Sequence, residues 1–286
     1  MLRDVSDDRD LSLERGEARA RAGILHPSRA VERIDVGRVG PSPVISGFVD
    51  YIWSVVWNCP EPHVQEVVPR PVIHLTAEVH DGRPRLLVNG VMRKRFERRL
   101  TGQGRTVAAA FRPGGFRPFL GSGVRDLTDR IVPVGEVTGF PARGVDDAEV
   151  AARLLDPSVD TATAAHILDR WLVERCPPPD PVASEIARLV ELAEADPSIT
   201  RADHLAALSG VGLRTLQRQF TEYVGVGPKW VVQRFRLLDV AAAAHAGGPV
   251  DWAALAAELG YSDQSHLIRA FTALVGRPPA SYASCV

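Results

Sequence analysis

A weak internal repeat constrains this chain more than any other feature. Leu208–Pro228 reads LSGVGLRTLQRQFTEYVGVGP, and Leu259–Pro279 reads LGYSDQSHLIRAFTALVGRPP. At an offset of 51 residues Ala206 aligns with Ala257, Leu208 with Leu259, Leu216 with Leu267, Phe220 with Phe271, Gly225 with Gly276 and Pro228 with Pro279. Each copy predicts a short helix, over His204–Leu208 or Trp252–Leu259. Its small residues, Ala206–Ala207 or Ala256–Ala257, let another helix approach closely. Gly210 and Gly260 then end it, because glycine takes the left-handed conformation without a Cβ penalty. In the helix that follows, Leu216 and Phe220, or Leu267 and Phe271, stand four apart, share a face and point inward.

The free face of that second helix carries Arg214, Gln217 and Arg218 in the first copy. In the second copy it carries Gln264, Ser265, Ile268 and Arg269. A helix, a tight turn and a helix with long polar side chains on its open face form a helix-turn-helix. Pro228–Ala246 joins the two units, with Pro228 suited to a helix start and Val232, Phe235, Leu238 and Ala242 as an apolar stripe. Nineteen helical residues span roughly 28 Å at the α-helical rise. That length can hold two recognition helices near one DNA turn apart, about 34 Å.

Gly260–Tyr282 (GYSDQSHLIRAFTALVGRPPASY) and Gly227–Ala241 (GPKWVVQRFRLLDVA) resemble the DNA-binding domain of the AraC/XylS family of bacterial regulators, over about 100 residues. The resemblance implies base contacts from Arg214, Gln217 and Arg218 in the first unit. In the second it implies them from Gln264, Ser265, Ile268 and Arg269. It also implies a transcription regulator with double-stranded DNA as its partner, no cofactor and no reaction of its own. A homodimer, a small-molecule effector and RNA polymerase are further partners it suggests. Two residues depart from the pattern. Gly212 stands where a Ser or Thr cap is usual, and Ala283 where an Arg often follows Tyr282.

Charge would not have led here. Residues 201–286 hold eight Arg or Lys and six Asp or Glu, a net of +2, so phosphate neutralisation contributes modestly. Whole-chain net charge is −1, so a DNA-binding surface has to be local. The 286 residues allow two domains, each with its own core. Residues 1–22 lack an apolar stretch and read as a mobile tail rather than a secretory signal. No apolar run reaches the roughly 18 residues of a membrane helix. Cys59, Cys176 and Cys285 form no disulfide framework or CxxC pair, which fits a reduced, cytoplasmic setting.

Residues 23–145 are rich in Gly, Pro, Val and aromatics. Alternating runs such as Val64–Val79 and Arg85–Val91, with turn signals at Asp81–Gly82, Asn89–Gly90 and Pro113–Gly115, predict a β-sandwich or barrel. Val107–Gly139 resembles the cupin-like sensor domains of such regulators, so the fold expected is α+β. A cupin-like β-domain with helices precedes an all-α double helix-turn-helix domain over 182–286. Residues 146–175 predict two helices, with Val150, Leu154, Ile167, Leu168 and Trp171 at helical spacing. These could form a homodimer interface or pack on their own β-domain. Residues 176–181, CPPPDP, read as a stiff interdomain linker.

Several residues keep two readings. Trp53 and Trp57 suit a core or a ligand pocket. The basic run Arg93–Arg99 suits a solvated strand face or a contact to DNA or another subunit. Arg112 and Arg117 suit an anion or pairing with Asp126 or Asp129. His266 suits DNA or a place beside Phe271. The alternative function is a cupin-like metal enzyme carrying a DNA-targeting domain, which needs clustered His and carboxylate ligands. His63, His74, Glu78 and His80 are present, but His74 and His80 lie six apart on a strand, about 20 Å. Cys59 and Cys285 do not resemble the reactive cysteine of a repair methyltransferase. Neither a Gly-rich phosphate loop nor a Ser-His-Asp pattern appears.

Overall fold

The computed structural model describes residues 24–25, 34–140 and 146–284. The tail expected over residues 1–22, and Cys285, lie outside the described residues. The strands are β1 (Ile24–Leu25), β2 (Ile34–Val39), β3 (Val49–Val67), β4 (His74–His80), β5 (Arg83–Asn89), β6 (Phe96–Phe111) and β7 (Ile131–Pro133). They form one antiparallel sheet in the order β1-β3-β6-β4-β5-β7, with β2 also paired to β3. Of the sandwich or barrel expected, the two separate sheets of a sandwich are absent among the described residues: all seven strands belong to one sheet. Two very long strands, β3 and β6, run through its middle. The run Val64–Val79 is not one strand either: Pro69 and Pro71, which lack a donor for a ladder bond, separate the end of β3 from β4.

Local chemistry explains the sheet's irregularities. Cys59 pairs with Gly102 and His63 with Leu100, and the register shifts between them. That stretch holds Pro60 and Pro62, which cannot donate and belong at bulges. Asp81 and Gly82 both take positive φ, 50° and 73°, the geometry of a tight hairpin turn between β4 and β5. Asn89–Gly90 makes no hairpin. Gly90 instead donates to the carbonyl of Arg130 at 3.0 Å, and a Cβ there would stand 1.7 Å from the Leu127 carbonyl oxygen. The signal marked a close backbone approach.

Alternation sets the two faces of the sheet. Ile52, Leu75, Ala77, Leu86, Val88, Val107 and Ala109 pair on one face and are buried. Against it lie α1 (Arg117–Leu120), α2 (Asp147–Leu155) and α3 (Thr161–Val173). Val150, Leu154, Leu168 and Trp171 are buried in this core, and Ile167 packs partly against it. These side chains are spent inside one chain, the second of the two readings given for them. Phe140 stacks on Trp171 at 5.7 Å and continues the core through Phe119 and Phe116.

The rest is helical: α4 (Pro181–Ala195), α5 (Ala202–Ser209), α6 (Leu213–Tyr223), α7 (Pro228–His245), α8 (Trp252–Glu258), α9 (Gln264–Val275) and α10 (Pro279–Ala283). Within 176–181, Asp180 caps α4 by accepting from Val182 and Ala183, with Pro181 at the first position. The overall fold is α+β, an antiparallel β-sheet domain followed by a helical region. One apolar core runs through both, from Val107 and Phe116 to Ile186, Phe220 and Phe235.

Candidate nucleic-acid interface

The first unit is α5, a turn at Gly210 and α6. Gly210 ends α5 in the left-handed conformation at φ 69°. On α6, Leu216, Phe220 and Tyr223 face inward, a period of three to four that gives one apolar stripe. Arg214, Gln217 and Arg218 are exposed. Gly212 precedes α6 and contributes no side-chain cap, as its sequence position foretold.

The second unit is α8, a turn at Gly260 and α9. Asp263 caps α9, its carboxylate accepting from the His266 N–H at 2.7 Å. Leu267 and Phe271 are fully buried, and Gln264, Ser265 and Arg269 are exposed. Ile268 is half-buried and leans on the core. His266 is exposed and sits edge-on to the Tyr261 ring, with Nδ1 3.2 Å from the Ser262 hydroxyl. Its ring neighbours are therefore Tyr261 and Ser262 rather than Phe271. Arg214, Arg218 and Arg269 form no ion pair with any described residue.

The repeat is more regular in space than at a single offset. Arg201 and Asp251 begin the first helices and Gly210 and Gly260 follow their ends, an offset of 50. Gly212 and Asp263 begin the second helices, an offset of 51. Ala206 therefore matches Ala256 rather than Ala257, and Leu208 matches Glu258, both of them exposed. The second turn is one residue longer, which a single alignment offset hides.

Four features fix the two units relative to each other. Helix α7 is buried along its length, at Val231, Val232, Phe235, Leu238, Val240, Ala241 and Ala244. Arg236, 1% exposed, donates to the carbonyls of Ala193 and Asp196 at the end of α4, where a cation complements the helix dipole. Gly260 lies against Thr200, and a Cβ there would stand 2.5 Å from the Thr200 Cβ. At the other end, Tyr282 of α10 is buried and 2.6 Å from His245 of α7. For the Arg236 anchor the one sequence signal is an arginine within the apolar stretch RFRLLDVA.

The β-domain residues kept open now have partners. Arg112 pairs with Glu191 at 2.8 Å, and Arg117 with Glu222 at 2.8 Å and Asp180 at 3.6 Å. Neither pairs with Asp126 or Asp129; both cross to the helical region. In the basic run Arg93 pairs with Asp129, Arg95 with Glu66 and Glu97, and Arg98 with Glu78. The indole N–H of Trp53 donates to His74 Nδ1 at 3.2 Å, and Trp57 packs on Gly104. Burial first, and then the charge of Arg70, lower His74 to about 4. His80 sits at the far end of β4 beside Asp81. Among the described residues no group of three or more His, Cys, Asp or Glu side chains is placed to hold a metal ion. A cavity of about 10 Å³ between Ile52, Ser54, Val107, Thr161 and Ala165 has room for a single water. No helix among the described residues is long and apolar enough to cross a membrane.

Residues 205–284 match the family described as helix-turn-helix domain. Residues 37–133 match a domain of unknown function (DUF6597). The curated proteins contain no match. Among solved structures the chain is similar to ToxT from Vibrio cholerae, at 11% identity over 89% of this chain and 98% of that one, with a TM-score of 0.36. A second structure, ToxT from Vibrio cholerae O395, gives 10% identity over 88% and 97%, with the same TM-score. Residues 205–284 are thus a helix-turn-helix domain, the kind of domain found in DNA-binding transcriptional regulators.

Proposed function

We propose that the chain is a sequence-specific transcriptional regulator that reads two successive major-groove segments of double-stranded DNA, one with α6 and one with α9. One observation carries this reading: two repeated helices bury their Leu and Phe pairs and leave Arg214, Gln217, Arg218, Gln264, Ser265 and Arg269 exposed. Arginine offers two parallel donors to guanine O6 and N7, glutamine pairs with adenine, and the half-buried Ile268 offers an apolar contact to a thymine methyl. The 18 residues of α7 span about 27 Å, a separation compatible with neighbouring grooves on one DNA face.

The β-domain is read as the modulating part, since ion pairs and hydrogen bonds join it to the helical region. A small-molecule effector, a second copy of the chain and RNA polymerase are partners this reading allows; a second copy would meet a face other than the apolar side of α2 and α3. A cytoplasmic location belongs to the same reading. The test is selection of duplexes from a random library by the purified chain. Enrichment of one motif with two segments about one turn apart supports the reading; no enrichment over a scrambled pool refutes it.

A further inference from the structure

We propose that the β-domain positions both recognition helices, through Thr128 at the end of α6 and Arg95 at the end of α9, and so sets the spacing at which the two reading faces meet DNA. The inference rests on the DNA-reading assignment of α6 and α9 and adds to it the residues that fix their separation.

The β-domain meets both repeats at adjacent positions, at or just past the end of the recognition helix. The Thr128 hydroxyl donates to the Gly225 carbonyl at 2.9 Å. The Arg95 guanidinium donates to the Val275 carbonyl at 2.7 Å. Gly225 and Gly276 are repeat equivalents, both with positive φ, 90° and 89°. A Cβ on Gly225 would stand 2.6 Å from Thr128 Oγ1, and one on Gly276 3.0 Å from Arg95 Nη1. Arg95 therefore meets the last carbonyl of α9, and Thr128 a carbonyl two residues past the end of α6, where carbonyls lack intrahelical partners.

These two donors sit on one hydrogen-bonded bar. Both the backbone N–H and Nε of Arg93 donate to the Asp129 carboxylate, at 2.7 and 2.6 Å. That ion pair ties the segment bearing Arg95 to the segment bearing Thr128. Arg95 is itself aimed by Glu66 at 3.1 Å and Glu97 at 3.0 Å. The connecting helix α7 is held at the same point, Arg234 donating to the carbonyls of Pro69 and Arg93 at 2.9 and 2.7 Å. Val124 adds a backbone bond to the Glu222 carbonyl at 2.8 Å. All three helices that determine the separation of the reading faces are hydrogen-bonded to one side of the β-domain.

The placement distinguishes a scaffold from a cover. The hydrogen bonds to the recognition helices fall at or just past the C-terminal ends of α6 and α9. Arg214, Gln217, Arg218, Gln264, Ser265 and Arg269 remain exposed in the whole chain.

The experiment uses the full chain and duplexes that it selects from a random library. One base pair is inserted or deleted between the two protected segments, and affinity is compared with the parent duplex. The variants are Arg95→Met and Asp129→Asn. Asparagine suits the φ of 58° at Asp129, so this variant loosens the bar without straining the backbone. The parent is expected to lose affinity on shifted duplexes. Each variant is expected to shrink that penalty about fivefold, the equivalent of one net hydrogen bond, with a parent-like melting temperature; Arg95→Lys, which keeps a donor, restores it. Variants that melt like the parent and keep the full spacing penalty overturn the proposal. Variants that bind every spacing more tightly than the parent also overturn it, since the β-domain would then be a cover. If the parent itself does not prefer selected over scrambled duplexes, the DNA-reading assignment falls and the positioning role falls with it.

Discussion

Replacing Arg218 and Arg269 with alanine tests base reading where the structure makes the outcome cleanest. Each arginine stands between an inward Leu and an inward Phe, Leu216 and Phe220 or Leu267 and Phe271, on the exposed side of its helix. Neither is ion-paired to a described residue. Truncation therefore leaves no buried group unsatisfied, and stability is expected to stay within about 0.5 kcal/mol of the parent. A bidentate contact to guanine carries about 1–3 kcal/mol of discrimination, so each variant should bind the selected duplex roughly 5- to 150-fold more weakly. Scrambled duplexes should lose less, because phosphate contacts made by other residues survive. The assay is a titration of both duplexes at one fixed salt concentration, since salt alone moves such affinities by orders of magnitude. Binding of the selected duplex as tight as the parent's, or equal losses on both duplexes, would refute the assignment.

Other outcomes follow from single positions. Gly210→Ala should destabilise by about 1–2 kcal/mol, the cost of a left-handed alanine, because its Cβ meets nothing within 4 Å. Gly260→Ala should cost about 2–4 kcal/mol, because overpacking against Thr200 adds to that strain; equal losses in urea melts of the two would discount the Thr200 contact. Asp263→Ala removes the cap of α9 and should cost about 1 kcal/mol. Gly212→Ser, at an extended N-cap with open space around it, should add a few tenths; a chemical denaturation series checks both signs. His74 is lowered in the fold by burial and by Arg70, to about 4. The unfolded chain therefore binds this proton first. Stability from this site is complete above about pH 6.5 and falls as pH drops towards 4, by about 1–3 kcal/mol. His74→Asn, which keeps an acceptor for Trp53, should flatten that part of the stability–pH curve, and an unchanged slope would rule the site out.

The sequence by itself determined the helical region. Periodicity of Leu and Phe, two turn glycines and a proline-started connecting helix are local signals, and local hydrogen bonding decides helices. Exposure of Arg214, Gln217 and Arg218 follows from the same periodicity, because a side chain opposite a buried stripe has only solvent to face. The one-residue difference between the two turns was not legible. Only the positions of the left-handed glycines and N-caps reveal it.

Tertiary structure alone decided the rest. Strand pairing is non-local, so nothing in Val49–Val67 or Phe96–Phe111 announced that they pair with each other or that the sheet would be single. The apolar residues of α2 and α3 were visible, but whether they met their own sheet or a second copy depended on a surface assembled from strands far away in sequence. Neighbours in the chain did not tie Arg95, Arg117 or Thr128 to the helical region, or Arg234 to the β-domain. They became interdomain ties because folding brought Arg95, Thr128 and Arg234 to carbonyls that needed a donor and Arg117 to the carboxylates of Glu222 and Asp180. Sequence determines which face of a helix is apolar, whereas the partner of each buried polar group depends on how the whole chain packs.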